Sequence, residues 1–371
     1  MSTAIRGAAM SVEPGRSGDR LWAADTRPIE LWLLTVAVMV ALTAVIGAAT
    51  RLTGSGLSIT EWQPIMGVIP PLSAADWQAA FTKYKQIPQY IELNKGMSLG
   101  AFQTIFYWEW GHRLVARAIG VVFLLPFLAF WALGRIPRAL VPRLVLLFAL
   151  GGLQGAIGWF MVMSGLSGRV SVSPYRLAAH LGCAVLIFAV LVWTILELVD
   201  RRRRAGVHLA TITFAQAVTA YALVGLVYLQ ILSGALVAGL KAGMTYNTWP
   251  LMDGRIVPVG LGLLEPWWLN IFENVTAVQF NHRVLAYAIV AVALWQAVSV
   301  SRTADDPDVR RSAGWLGFAV AAQMGLGIWT LLAWVPLSLG VAHQAGALAV
   351  LATALWHLFA VRRGLARTLL Q

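Results

Sequence analysis

Eight long apolar runs constrain this chain more than any other feature. A bilayer-spanning helix needs about 20 apolar residues, and none of the runs shows the alternation of a barrel strand. Composition excludes a soluble globular protein, since 59% of residues are hydrophobic and 12% charged, with a mean hydropathy of +0.72. We therefore predict an all-α integral membrane protein with eight transmembrane helices, at roughly 29–50, 108–133, 143–164, 175–199, 213–238, 276–300, 313–334 and 338–360.

The charge distribution predicts how these helices are oriented. The net charge of +12 comes from arginines clustered on every second connection, as the positive-inside rule expects. The basic character thus reflects topology and does not indicate nucleic-acid binding. We expect both termini in the cytoplasm, the long connections 51–107 and 239–275 outside, and residues 1–27 as a short cytoplasmic tail typical of a bacterial inner-membrane protein. The clusters are Arg6/Arg16/Arg20/Arg27, Arg135/Arg138/Arg143, Arg201–Arg204, Arg302/Arg310/Arg311 and Arg362/Arg363/Arg367.

The two halves of the chain resemble each other. Gly47 and Gly234, at the ends of predicted helices 1 and 5, each precede a tryptophan by 15 residues, Trp62 and Trp249. Predicted helices 3 and 7 share Gln-x-x-x-Gly, as Gln154/Gly158 and Gln323/Gly327. This pattern predicts two tandem-repeated four-helix bundles in the same orientation. The expected divisions are a tail at 1–27, bundles at 28–200 and 213–361, a basic cytoplasmic linker at 201–212 and a tail at 362–371.

Four histidines repeat in register with these halves. His112 and His282 open predicted helices 2 and 6, and His180 and His343 follow them by 68 and 61 residues, in helices 4 and 8. One histidine in a membrane helix is most often a satisfied polar contact, but two per repeat on alternate helices is the pattern of a functional site. Imidazole pairs on facing helices of a bundle suit haem iron. We predict one haem per half, held by His112 with His180 and by His282 with His343.

The remaining candidates receive simpler interpretations. We expect His208 to be solvated in the linker and His357 to lie at the membrane interface, about four turns from His343. Cys183 is the only cysteine, which excludes an internal disulfide and covalent haem attachment through CxxCH, and it is best explained as a small buried residue.

Charged groups accompany the first histidine of each half. Arg113, Arg117 and Arg283 are candidate partners of haem propionates, with arginines reaching the membrane interface as the alternative. Glu109 lies three residues before His112, on the same helix face, where the second half carries Gln279. This difference predicts unequal sites, with Glu109 as proton acceptor or as stabiliser of developing positive charge. A carboxylate merely favoured by the helix N-terminus is the competing explanation.

The segment Glu109–Arg113, its weaker echo around His282, the paired downstream histidines and the duplicated layout resemble the haem A synthase family over residues 29–360. The resemblance implies an enzyme that oxidises the C8 methyl of haem O to a formyl group, giving haem A for a terminal oxidase. It implies that His112 and His180 handle the substrate haem, that His282 and His343 hold a haem b cofactor, and that Glu109 is functionally required. Some bacterial members carry loop cysteine pairs. This chain has none and is similar to the cysteine-free proteobacterial and mitochondrial group.

The resemblance also bears on partners and on rival functions. Beyond haem O and the lipid bilayer, haem O synthase, assembly factors of the terminal oxidase and a second copy of this chain are candidate partners. Two alternatives stay open on the residues alone. A di-haem b-type electron-transfer cytochrome gives no reason for Glu109 opposite Gln279, and a duplicated transporter predicts no haem and charged residues near the membrane midplane.

Overall fold

The computed structural model describes residues 25–63, 65–203 and 212–368. Within these ranges the chain is helical, and its only β-structure is an isolated bridge between Met252 and Arg255. The α-helices are α1 (Arg27–Leu52), α2 (Ala74–Tyr84), α3 (Pro88–Leu93), α4 (Leu99–Ala132), α5 (Val141–Leu166), α6 (Pro174–Arg203), α7 (Phe214–Gly239), α8 (Leu269–Phe272), α9 (Val275–Thr303), α10 (Pro307–Leu332) and α11 (Leu337–Thr368).

Eight of these helices are long and apolar enough to cross a membrane, which confirms the predicted all-α membrane fold. They are α1, α4, α5 and α6 in the first half and α7, α9, α10 and α11 in the second. Several begin at side-chain caps that satisfy the free backbone N–H groups of the first turn. Thr213 and Gln216 form a capping box at α7, and the Asp306 carboxylate caps α10 ahead of Pro307.

The four helices in the middle of the molecule join the halves. α6 packs on α7, and α11 packs on both α1 and α6. Leu33, Leu191, Leu223 and Leu351, one on each of these helices, are at most 1% exposed. The core of the molecule therefore consists of side chains buried between these neighbouring helices.

Each half arranges its helices so that the two histidine-bearing helices lie on a diagonal. In the first half α1 packs on α4 and α6, and α5 packs on α6; in the second half α7 packs on α9 and α11, and α10 packs on α11. α4 and α6 make few if any close backbone approaches to each other, and the same holds for α9 and α11. One difference separates the halves: α9 and α10 pack closely, whereas α4 and α5 approach each other at few points.

The second membrane helix extends further than its apolar run predicts. It begins at Leu99 and not near residue 108, with the Ser98 hydroxyl accepting from Ala101 N. The added turns carry Phe102, which is fully buried and stacks on Phe81 of α2 at 5.0 Å. Glu109 and His112 consequently lie about three turns inside a helix, and the connection 51–107 is shortened to 53–98 and contains α2 and α3.

Candidate functional site

All four predicted histidine ligands lie against a glycine of the preceding membrane helix. A Cβ added at the glycine would come within 3.3 Å or less of the imidazole Cε1 atom in every case, so any larger residue would displace the ring. The glycine–histidine pairs and these distances are Gly47–His112 at 3.0 Å, Gly158–His180 at 2.7 Å, Gly234–His282 at 3.3 Å and Gly327–His343 at 2.8 Å.

Each bundle carries its two histidines on helices that lie on a diagonal, His112 and His180 in the first half and His282 and His343 in the second. Imidazole nitrogens are ligands that suit haem iron. The sharing of one iron by the two histidines of each half stays a prediction.

Three of the four rings are contacted by a glutamine located one turn before the glycine. Gln154 Nε2 lies 3.1 Å from His180 Nδ1, Gln230 Nε2 lies 3.2 Å from His282 Nδ1, and Gln323 Nε2 lies 3.1 Å from His343 Nδ1. His112 is the exception, since its Nδ1 is buried without a hydrogen-bond partner among the described residues. No side chain of the described residues therefore supports the His112 ring.

Glu109 is held by three donors at the outer end of the first bundle. Its carboxylate accepts from Ser58 Oγ at 2.7 Å, from the backbone N–H of Ile59 at 2.9 Å and from Arg113 Nη2 at 2.6 Å. Its side chain is only 3% exposed. Both oxygens therefore act as acceptors, as suits a carboxylate anion, and the group lies one helical turn from His112.

Gln279 occupies the equivalent frame in the second half with the opposite hydrogen-bond polarity. Its Nε2 donates to the carbonyl oxygens of Ala242 at 2.9 Å and Tyr246 at 3.4 Å, and its side chain, like that of Glu109, lies one turn before an arginine. The loop after α1 thus offers donors to a carboxylate, whereas the loop after α7 offers acceptors to an amide. The two sites therefore have a similar arrangement of loop and helix, but the first contains a carboxyl group where the second contains an amide.

The arginines after the histidines brace these same loops. Arg113 donates to Ile59 O at 3.2 Å, and Arg283 donates to Tyr246 O at 2.7 Å, at matching positions of the repeat. Arg117 Nη2 donates to Gln63 O at 3.0 Å. The guanidinium groups lie at the outer, loop-covered end of each bundle, where the polar edge of a haem would be expected. Their pairing with propionates stays a prediction.

A small crevice beside Arg113 opens toward α5. It is lined by Ile59, Glu61, Trp62, Arg113, Trp159, Val162 and Met163, which pack too closely to leave an internal cavity. Trp62 and Trp159 meet there with ring centroids 6.2 Å apart. In the second half, the Trp249 indole N–H instead donates to Tyr287 Oη at 3.0 Å.

The structure shows the surroundings of His357, which was expected at the membrane interface. Its side chain is 0% exposed inside the second bundle, with Nε2 2.9 Å from Gln296 Nε2 and Nδ1 3.0 Å from Ser312 Oγ. Its depth in the membrane stays a prediction. Depth along a helix does not reveal which face a residue occupies, and this face turns inward. His208 lies outside the described residues. Cys183 is a free, half-buried thiol.

Sequence reasoning missed several contributors. In α5 and α10 the Gln-x-x-x-Gly spacing indicates a repeat but does not by itself indicate a role. The spacing occurs a third time in α7, as Gln230/Gly234. Searching for that spacing before every histidine would have found it. The Ser58 hydroxyl and the Ile59 amide, which complete the Glu109 frame, carry no sequence signal of their own.

Eight spanning helices, with two histidines on diagonal helices in each half, define a multi-pass membrane protein. Comparison with known proteins gives the family. The profile of the cytochrome oxidase assembly protein family COX15-CtaA matches residues 30–355, so the chain belongs to that family.

Curated relatives cover nearly the whole chain. A protein of Parvibaculum lavamentivorans named heme A synthase is 50% identical over 334 residues, which is 90% of this chain and 94% of that protein. Proteins of the same name from Bradyrhizobium diazoefficiens and Azorhizobium caulinodans are 52% and 51% identical, covering 88% and 92% of this chain and 90% and 96% of their own lengths.

Proposed function

We propose that this protein is a haem A synthase of a bacterial inner membrane, which oxidises the C8 methyl of haem O to a formyl group for terminal oxidase assembly. The contrast between Glu109 and Gln279 carries the proposal. In both halves the residue lies one turn before an arginine and near the first histidine of that half, yet only the first half contains a carboxylate there. An enzyme with one reacting site and one electron-transfer site needs this inequality, whereas a di-haem cytochrome does not. The names of the relatives support the same activity.

The first half is proposed to take the substrate, with His112 and His180 as the candidate ligands of its iron. In each of two rounds the carbon takes a hydroxyl from water and gives up two protons and two electrons (R–CH3 + H2O → R–CH2OH + 2 H⁺ + 2 e⁻ in the first round), and the electrons leave singly to a one-electron acceptor. The gem-diol formed in the second round loses water to give the aldehyde. The protons released need an acceptor. Glu109 is the anionic group one turn from His112, and Arg113, Ser58 and the Ile59 amide keep its carboxylate aimed at one place. The same charge stabilises positive charge that develops on the carbon.

The second half is proposed to hold a permanent haem b through His282 and His343. When bound, that group supplies one-electron chemistry to the first half. The residues fit it, since both imidazoles are buried ligands that each lie against a glycine and a glutamine. Gln279 keeps the loop after α7 in place without adding a charge.

The packing of α4 on α5 and of α9 on α10 supports the assignment of the substrate to the first half and of the cofactor to the second. At the seam between α9 and α10, a Cβ on Gly317 would lie 3.4 Å from Ala297 Cβ, so small residues bring these helices together. The corresponding positions of the first half carry Phe148 and Phe127, and Phe148 stacks on Phe123 with centroids 6.2 Å apart. Aromatic side chains thus lie between α4 and α5 at the positions where small residues join α9 and α10. We propose that a membrane-borne haem enters and leaves along this looser seam.

The test is chromatography of the haems extracted from purified full-length protein. We expect haem B together with haem O or haem A in the wild type, and loss of haem A with retention of haem B in Glu109→Gln. Gln279→Glu is the matched change in the second half and is expected to leave haem A formation in the first half detectable. Haem B alone in the wild type and in Glu109→Gln, with unchanged spectra, would make the protein an electron-transfer cytochrome.

A further inference from the structure

The four histidine sites share one construction with a single exception. In α5, α7 and α10, a glutamine precedes the contacting glycine by four residues, so both lie on the helix face that meets the imidazole. In α1, the same position before Gly47 holds Thr43.

Each glutamine fixes its ring in more than one direction. Gln154 Nε2 lies within 3.4 Å of both ring nitrogens of His180. Gln230 and Gln323 bridge the ring to the backbone carbonyl of the same histidine, with Nε2–O distances of 3.0 and 2.7 Å for His282 and His343. An amide that touches both ring and backbone opposes rotation of the imidazole about its Cβ–Cγ bond.

The glutamine amides also contain the group that a metal-bound imidazole requires. A histidine that binds iron through Nε2 carries its proton on Nδ1 and needs an acceptor there, which fixes the ring and raises its basicity. Gln154 Oε1 and Gln230 Oε1 are buried and have no hydrogen-bond partner among the described residues. A 180° turn of either side-chain amide would therefore present its Oε1 as an acceptor to the ring N–H.

His112 lacks this support. The Thr43 hydroxyl is committed to its own helix, donating to Met39 O at 2.8 Å. The Thr43 backbone carbonyl is the polar group that approaches the His112 ring, and no side chain among the described residues hydrogen-bonds its Nδ1. His112 thus lacks the side-chain amide that contacts each of the other three rings. Ser233, whose hydroxyl lies 3.2 Å from His282 Nδ1, corresponds to apolar Ile46 in α1. Both polar contacts that hold His282 are thus missing at His112.

We propose that Gln154, Gln230 and Gln323 are positioning residues for three haem ligands, and that Thr43 makes His112 the ligand that releases iron. Resting on the proposed function, this assigns substrate exchange to the His112 side of the first bundle. The second bundle, where both imidazoles are held, retains its haem. His180 stays the fixed ligand about which the substrate haem is exchanged.

The experiment measures haem release from the purified full-length protein to excess apomyoglobin, a haem acceptor, with the low-spin absorption and EPR spectra recorded for each variant. We expect Thr43→Gln to slow release from the first half about 10-fold or more, because outer hydrogen bonds to metal ligands change metal affinity about 10- to 100-fold. Thr35→Gln is the matched control: it makes the same change two turns earlier on α1, where Thr35 is exposed and donates to Leu31 O. It should release haem as the wild type does.

The reverse change is Gln323→Leu, which should speed release from the second half by a similar factor and shift the EPR signal of that haem. Wild-type release and EPR spectrum in Gln323→Leu, or equal release from Thr43→Gln and Thr35→Gln, would overturn the proposal. Gln323→Leu decides the matter if Thr43→Gln does not fold. Release needs no turnover, so a protein that makes no haem A but shows these rate changes would refute the synthase function and leave the positioning roles standing.

Discussion

Adding one methyl group at Gly158 or Gly327 is expected to displace the histidine against it. A Cβ there would stand 2.7 Å from Cε1 of His180 or 2.8 Å from Cε1 of His343, whereas carbon atoms in contact are about 3.5–4.0 Å apart. The ring must retreat by roughly 1 Å. That is several times the about 0.2 Å within which metal–ligand distances are held. Haem binding through that histidine should therefore be lost.

The same helices provide matched controls. A Cβ on Gly155 or Gly325 would meet nothing within 4 Å, and alanine is favoured over glycine in a helix by about 1 kcal/mol. Gly155→Ala and Gly325→Ala should therefore keep wild-type haem content and equal or higher thermal stability. The assay is haem absorbance per protein, with thermal unfolding in detergent.

The distances also predict a graded series. Gly158→Ala and Gly327→Ala should be the most harmful and Gly47→Ala, at 3.0 Å, less so, whereas Gly234→Ala, at 3.3 Å, needs only a shift of a few tenths of an ångström. The reasoning would be refuted if the contacting glycines and the control glycines gave the same haem content, or if Gly234→Ala were the most damaging change.

Three further outcomes follow from the contacts. Glu109→Gln should cost about 1.5–3 kcal/mol of stability, because it removes a charged partner of the half-buried Arg113 guanidinium. Adding Arg113→Met should recover part of the thermal stability but no haem A formation, and recovery of product would show that the carboxylate acts only as a partner of Arg113. His357→Leu should lower the unfolding temperature by removing two buried hydrogen bonds, yet haem content should be unchanged, so a lost haem would make His357 a ligand. Gly317→Phe should cost about 1–3 kcal/mol by overpacking the α9–α10 seam, whereas Gly314→Phe, where a Cβ meets nothing, should be tolerated in the same unfolding assay.

The membrane part of the fold could be predicted because the bilayer itself selects long apolar runs. Helix ends could not be predicted as well, because capping residues and helical turns outside the membrane lie beyond the apolar run. Leu99 begins α4 because Ser98 caps it, and Phe102 packs on α2 in a region that hydropathy assigns to a loop.

The histidines could be predicted because four imidazoles in register are improbable without a function. Their glycine and glutamine supports could not, because those contacts join residues 16 to 65 positions apart across different helices. For His357 the position along its helix could be predicted from the sequence, but only the packing of the helices shows that it faces Gln296 and Ser312.

Two unrelated features distinguish the first bundle, which we propose exchanges its haem, from the second. One is steric, since Phe123 and Phe148 keep α4 and α5 apart where Gly317 closes the seam in the second half. The other is polar, since Thr43 leaves His112 without the amide that holds the other three rings. A permanent cofactor gains from a closed seam and fixed ligands, whereas a substrate needs an opening and one ligand that yields. Because both features fall in the half that contains Glu109, entry, release and chemistry are best explained as properties of a single bundle.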